Sequence, residues 1–158
     1  PLGVYSETLT SLDELKDGDE VAIANDPTNR GHGLDLLAAN GVITLADGVA
    51  PTSATTGDIA ENPKKIKIRE LEAATLPRVL TQVDMALINT NYALEAKLNP
   101  LKDALLLEDS DSPYANFIAG KPEMLNDPRY KKLVAALQTD EVRQFIEDTY
   151  SGAVLPAF

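Results

Sequence analysis

Apolar and polar positions alternate in blocks along the chain. Val21-Ala22-Ile23-Ala24 is a short apolar run of strand type. A polar stretch follows, from Asn25 through Asp26, Pro27, Thr28, Asn29, Arg30, Gly31 and His32 to Gly33. Leu34 to Asn40 then has the spacing of a helix, closed by Asn40-Gly41. This strand, turn and helix form the most informative stretch of the sequence. Leu2 to Tyr5 reads as extended, and Ser11 with Glu14 forms a capping-box pattern that starts a short helix. Val42 to Leu45 is a second apolar run, and a short helix is expected near Thr56 to Glu61. Lys65 to Leu71 alternates as a strand does, and Ala73 to Leu80 reads as a short helix that tolerates Pro77. Asp84 to Asn89 is another buried strand. Tyr92 to Lys97 is a short helix, and Asp103 to Glu108 is strand-like. Tyr114 to Ala119 is extended. Asp127-Pro128 opens a helix to Leu137, and Thr139 or Asp140 caps a last one that runs to about Tyr150 and ends at Gly152. Strands alternating with helices predict an α/β fold with a mainly parallel sheet.

Charge and composition narrow what such a fold would do. The 158 residues carry 14 Lys and Arg against 25 Asp and Glu, a net charge of −11. That surface repels phosphate backbones and anionic lipid, so neither nucleic acid nor direct membrane-surface binding is expected. There is no Cys, which excludes disulfides, thiolate metal sites and a Cys nucleophile. A single His makes a zinc site a poor expectation, and no cofactor is predicted. Position 1 is Pro, no signal-peptide pattern follows it, and no apolar run is long enough to span a bilayer. The expectation is a piece of a longer polypeptide whose start lies upstream. The acidic connector Glu108 to Ser112 is the best candidate for a domain boundary, with an ordinary solvated loop as the alternative.

The turn after Val21 to Ala24 lies at the carboxyl end of a strand and the amino end of a helix, where open α/β sheets bind ligands. Unpaired N–H groups at the helix start suit an anion, and Arg30 and His32 stand beside them. One reading is therefore a carboxylate site; the other is a well-capped βα turn with no ligand. Three strands are expected to end in polar residues on one sheet edge: Asn25, Glu70 or Glu72, and Asn89. An Asn amide donates to a carboxylate or accepts from an ammonium, so it suits either end of an amino acid; helix capping is the competing use. Catalytic signatures are weaker. There is no Gly-x-Ser-x-Gly elbow, phosphate loop or dinucleotide fingerprint. His32 with Asp26 or Asp35 could form a base and its orienting carboxylate, but no nucleophile accompanies them.

Several stretches taken together carry a resemblance. In order they are Asn25-Asp26-Pro27-Thr28-Asn29, Glu61-Asn62-Pro63-Lys64, Leu71-Glu72-Ala73-Ala74 with Leu76-Pro77-Arg78, Ile88-Asn89 with Asn91-Tyr92-Ala93, Asp111-Ser112-Pro113-Tyr114-Ala115-Asn116, and Gly152-Ala153-Val154. The chain resembles the NlpA-type lipoproteins, the methionine-binding components of bacterial ABC importers. The resemblance implies a type 2 periplasmic-binding-protein fold: two α/β lobes joined by a hinge, the first lobe incomplete in this chain. Residues 1–5 would be one hinge crossing, residues 6–108 the second lobe, and residues 109–158 the return crossing and carboxyl-terminal part of the first lobe.

Carried over by position, Asn89 and Asn116 match the pair of Asn residues that grip the ligand's polar backbone. The family's carboxylate-binding Arg falls at His32, and Arg30 stands two residues before it. That difference matters, because an Arg fork is bidentate and permanently charged. The implied partners are methionine or a related small amino acid, and an ABC permease with its ATPase. The implied location is the cell envelope, with a lipid anchor borne upstream. A sensor or surface-exposed binding protein without a transport role is the alternative, and an enzyme using His32 as base is a third.

Overall fold

The computed structural model describes residues 1–108 and 112–158. The boundary suggested for the acidic connector falls partly on residues 109–111, outside the described residues. The chain divides into two compact units, one of Leu2–Glu108 and one of Pro1 with Asp109–Phe158.

The larger unit is built on a five-stranded sheet of order β5-β2-β6-β1-β7. Its strands are β1 (Leu2–Tyr5), β2 (Glu20–Ala24), β5 (Lys67–Leu71), β6 (Met85–Asn89) and β7 (Ala104–Leu107). Strands β3 (Thr44–Leu45) and β4 (Ile59–Glu61) form a separate antiparallel pair. The sheet is buried on both faces, and the strands show why. In β2, Val21 and Ile23 point to one core while Ala22 and Ala24 point to the other. In β6, Met85 and Leu87 join the first core, and Ala86 and Ile88 the second. A period of two with apolar residues at every position is the pattern of a strand covered on both sides. Helix α1 (Pro27–Ala39) covers the first face with Leu34 and Leu37, both fully buried. Each such side chain contributes about 1.5–3 kcal/mol of burial. A 3-10 segment at Ala73–Val79 and helix α2 (Thr90–Glu95) lie over the second, through Ala73, Leu76 and Ala93. Helix α3 (Pro100–Asp103) leads into β7.

The sheet is mixed, not mainly parallel. β2 pairs in parallel with β5 and β6, whereas β1 runs antiparallel to both β6 and β7. Four further expectations change. The short helix expected to start at Ser11 does start there, but as a 3-10 turn at Leu12–Glu14 without a Ser11 side-chain cap, and the Glu14 carboxylate accepts from the Thr10 N–H and Oγ1. The helix expected near Thr56 is a 3-10 turn at Thr56–Asp58, and Ile59–Glu61 leaves it to pair with β3. Ala73–Val79 is 3-10 rather than α, with Pro77 inside it. The most consequential change is at the turn: it is only Asn25-Asp26 long, and α1 begins at Pro27.

The smaller unit holds α4 (Pro128–Leu137) and α5 (Asp140–Tyr150), preceded by a 3-10 turn at Pro122–Asn126. Tyr114–Ala119 has no strand pairing. Asp127 caps α4 by accepting from the Arg129 N–H, and Thr139 Oγ1 caps α5 from Val142 N–H. α5 ends with Ser151 in the left-handed region, one residue before Gly152. Tyr130 donates to the Ile118 carbonyl at 2.9 Å, and the Arg143 guanidinium lies 4.9 Å from the centre of the Phe158 ring. A groove of about 730 Å³ runs through this unit, lined by Asn116, Phe117, Tyr130, Val134, Ile146 and Phe158 among others.

Candidate ligand-binding site

The parallel trio β5-β2-β6 brings three strand ends to one edge, as their polar terminal residues predicted. Asn25 follows β2, Glu72 follows β5, and Asn89 ends β6. The Asn25 N–H bonds the Leu71 carbonyl at 2.8 Å, which ties the first two ends together. At this edge the chain enters α1. Asp26 has extended backbone and its Oδ1 accepts from the Asn29 N–H at 3.0 Å, while Pro27 supplies a preset φ at the first helical position. One of the free N–H groups proposed for an anion is thus already met by the chain's own carboxylate.

Because α1 starts at Pro27, residues 28–33 sit in the helix and not in the turn. Two glycines there look like turn residues but serve packing. A Cβ on Gly31 would lie 2.3 Å from the Pro51 carbonyl oxygen, so only Gly lets the 3-10 turn at Pro51–Ser53 close on the helix.

Asn89 is the best-formed member of the site. Its Nδ2 donates to Asn29 Oδ1 at 3.0 Å. Asn29 Nδ2 in turn donates to both oxygens of Asp26, at 3.2 and 3.0 Å. Asn89 Oδ1 is buried and has no hydrogen-bond partner among the described residues. Such an atom is costly to leave unmet, by roughly 1–3 kcal/mol, and a ligand N–H would meet it.

Arg30 and His32 of α1 face different carboxylates. His32 is buried, and its Nε2 is 2.7 Å from Glu108 Oε1. The carboxylate at that nitrogen is Glu108, not Asp26, which is taken up by Asn29. Glu108 also accepts from the Leu2 N–H through Oε2 at 3.1 Å, and its own N–H donates to the Leu2 carbonyl. One carboxylate therefore joins α1, the start of β1 and the end of β7. Arg30 lies toward β5: its NH1 is 3.5 Å from Glu70 Oε2 and its Nε bonds the Ala54 carbonyl at 3.4 Å. Asn116 belongs to the smaller unit, where it lines the groove described above.

Sequence reasoning singled out Asn89 at a strand end, and the structure places it there, as the last residue of β6. The same reasoning missed Asn29 and Glu108. Asn29 stands three residues after the Asp26 cap, which is a usable signal, but its contact with Asn89 spans 60 residues. The His32–Glu108 contact spans 76, and nothing local marks it. Among the described residues no group of His, Asp and Glu is placed to hold a metal ion, and no helix is long and apolar enough to cross a membrane.

Fold and site edge together define an α/β protein of the periplasmic-binding-protein type. The chain belongs to the NlpA lipoprotein family, whose pattern matches residues 1–158. It is 47% identical over 159 residues to the D-methionine-binding lipoprotein MetQ of Salmonella typhi, covering 98% of this chain and 58% of that protein. It is 45% identical to MetQ of Escherichia coli K12, with the same coverage. A nutrient binding protein from Burkholderia cenocepacia, solved bound to methionine, is 51% identical with a TM-score of 0.92. That match covers 100% of this chain and 66% of the other. A lipoprotein from Bacillus subtilis shares the fold at a TM-score of 0.92 and 36% identity. The chain spans 58% of the length of the Salmonella and Escherichia proteins.

Proposed function

We propose that the protein carrying this chain is the substrate-binding component of an ABC importer, taking methionine or a closely related amino acid to a membrane permease and its ATPase. Its place is the cell envelope, held to the membrane through a lipid anchor outside these 158 residues. Binding is the function, and closure of two lobes on the ligand is the signal that the permease reads. The observation that carries the reading is Asn89: a buried, unmet amide oxygen at the ligand-binding edge of an α/β sheet, in a chain 51% identical to a protein solved with methionine.

Asn89 grips the amino acid from the unit of Leu2–Glu108, and Asn116 grips it from the returning segment. The ligand carboxylate is met by one of two side chains of α1, Arg30 or His32. The hinge crossings lie near the two ends of that unit, a reading that the division of the chain at Leu2 and Glu108 supports.

The test is calorimetric titration of the full-length polypeptide with L- and D-methionine. Asn89→Ala and Asn116→Ala should each weaken binding by roughly 1–3 kcal/mol. Unchanged affinity in both would remove these residues from the site. Substitution separates the two side chains. A loss of affinity in His32→Gln with Arg30→Ala unchanged assigns the contact to His32. A loss of roughly 1.5–3 kcal/mol in Arg30→Ala with His32→Gln unchanged assigns it to Arg30.

A further inference from the structure

A carboxylate has no proton to give, and that fact sets the direction of a hydrogen-bond relay. Asp26 is an acceptor through both oxygens when ionised. Asn29 must therefore turn its NH₂ group toward Asp26, as it does at 3.2 and 3.0 Å. The other side of its amide is then an oxygen, and only a donor can meet it. Asn89 supplies that donor through Nδ2, at 3.0 Å. What Asn89 has left on its other side is Oδ1, the buried atom that lacks a partner among the described residues. Reversing the Asn89 amide would place two carbonyl oxygens against each other. Reversing Asn29 as well would place its oxygen against the Asp26 carboxylate. Each reversal exchanges an attraction for a repulsion in a part-buried setting.

We infer that Asn29 and Asp26 are positioning residues that fix the Asn89 amide with its oxygen toward the ligand, so that this site selects for an amino group and against a carboxylate or other acceptor at that point. The inference rests on the amino-acid-binding reading above and deepens it. By itself an Asn is indifferent, able to hold either end of an amino acid. Here the relay from Asp26 removes that choice 60 residues away from the side chain it governs. Asp26 thus has two tasks: it caps α1 through the Asn29 N–H, and it orders the Asn29 amide.

The experiment compares two ligands on the full-length polypeptide by calorimetry: L-methionine, and 4-(methylsulfanyl)butanoate, which keeps the carboxylate and thioether but lacks the amino group. The wild type should prefer methionine by roughly 10–100-fold, the range for a hydrogen bond to a charged group. Asn29→Leu removes the relay, and the freed Asn89 amide can turn. Asp26→Asn keeps a good helix cap but can donate or accept, so it erases the direction while keeping the bonds. Both variants should narrow the preference by about tenfold, within the same range. A merely structural role would weaken both ligands in proportion and leave the ratio alone. A ratio unchanged in either variant, with wild-type methionine binding intact, overturns this inference and leaves the proposed function standing. No methionine binding by the wild type, in either stereoisomer, overturns both.

Discussion

Tyr5 shows how one atom can set a pH limit on the larger unit. Its side chain is fully buried beneath the second core, and its hydroxyl has no hydrogen-bond partner among the described residues. A Cβ on Gly3 would lie 2.7 Å from the ring, so the ring's place depends on that glycine. Burial, with the Asp103 charge adding to it, pushes the Tyr5 pKa up to about 12. A pKa raised on folding means that stability is fully present below the unfolded value, about 10, and is lost as pH rises through about 12. Tyr5→Phe should flatten stability over that interval in urea titrations. It should also stabilise the protein near neutral pH by about 1 kcal/mol, since an unmet buried hydroxyl goes with it. Destabilisation at neutral pH would show that the hydroxyl is well bonded. At this scale the sequence was legible where a residue type has one use and opaque where it has two. The position of Asn89 was legible because a polar residue closing an apolar run marks a strand end. The direction of its amide was not, because that direction comes from Asp26 through Asn29.

Element by element, the reading succeeded where periodicity was strong. β2, β5 and β6 lie within a residue or two of their expected spans, as do α4 and α5 with their Asp127 and Thr139 caps. It failed where tertiary contacts overrode local pattern. The parallel order did not hold because β1 inserts between β6 and β7 in the opposite direction. The turn was read nine residues long because Pro27, Gly31 and Gly33 are all common in turns. In fact Pro27 starts α1, and the two glycines serve close packing of unequal tightness. They predict opposite results. In Gly31→Ala the new Cβ meets the Pro51 carbonyl oxygen at 2.3 Å, a backbone atom that moves only with its whole turn. The helix-propensity gain of about 1 kcal/mol is outweighed by a displacement costing about 1–3 kcal/mol. In Gly33→Ala the nearest atoms are the Leu87 Cδ2 at 3.4 Å and the Ile23 Cγ2 at 3.5 Å, ordinary contact distances. That variant should be neutral or more stable by up to about 1 kcal/mol. Thermal melts of the pair should move apart, and a Gly31→Ala protein as stable as wild type would contradict the packing role given to Gly31.

For the molecule as a whole, apolar exposure is concentrated in one unit. Phe117 is 86% exposed, Leu125 and Phe145 are 62%, and Leu133 is 50%, all within Asp109–Phe158. The groove of about 730 Å³ in the same unit is lined by further apolar side chains. By contrast, the sheet of the larger unit is covered on both faces. The solved methionine-bound relative has more chain than is matched here: the alignment covers 66% of it. Exposed apolar surface of this kind marks a face that normally packs against something, and a small-ligand site needs walls that exclude water. Apolar periodicity alone does not show this, because exposure depends on what lies opposite a helix and not on its own stripe; the expectation came from the resemblance, which implies a first lobe incomplete in this chain. The 158 residues alone should therefore bind methionine at least about tenfold more weakly than the full-length polypeptide, a difference of about 1.4 kcal/mol. They should also self-associate through the smaller unit despite a net charge of −11, because a repelling surface slows association without covering an apolar face. Sedimentation velocity at several concentrations reads the association, and Phe117→Ser with Phe145→Ser should reduce it. Calorimetry on the same samples reads the binding. A monodisperse 158-residue chain that binds methionine as tightly as the full-length polypeptide would mean that these 158 residues, with Asn89 and its relay, hold a complete site by themselves.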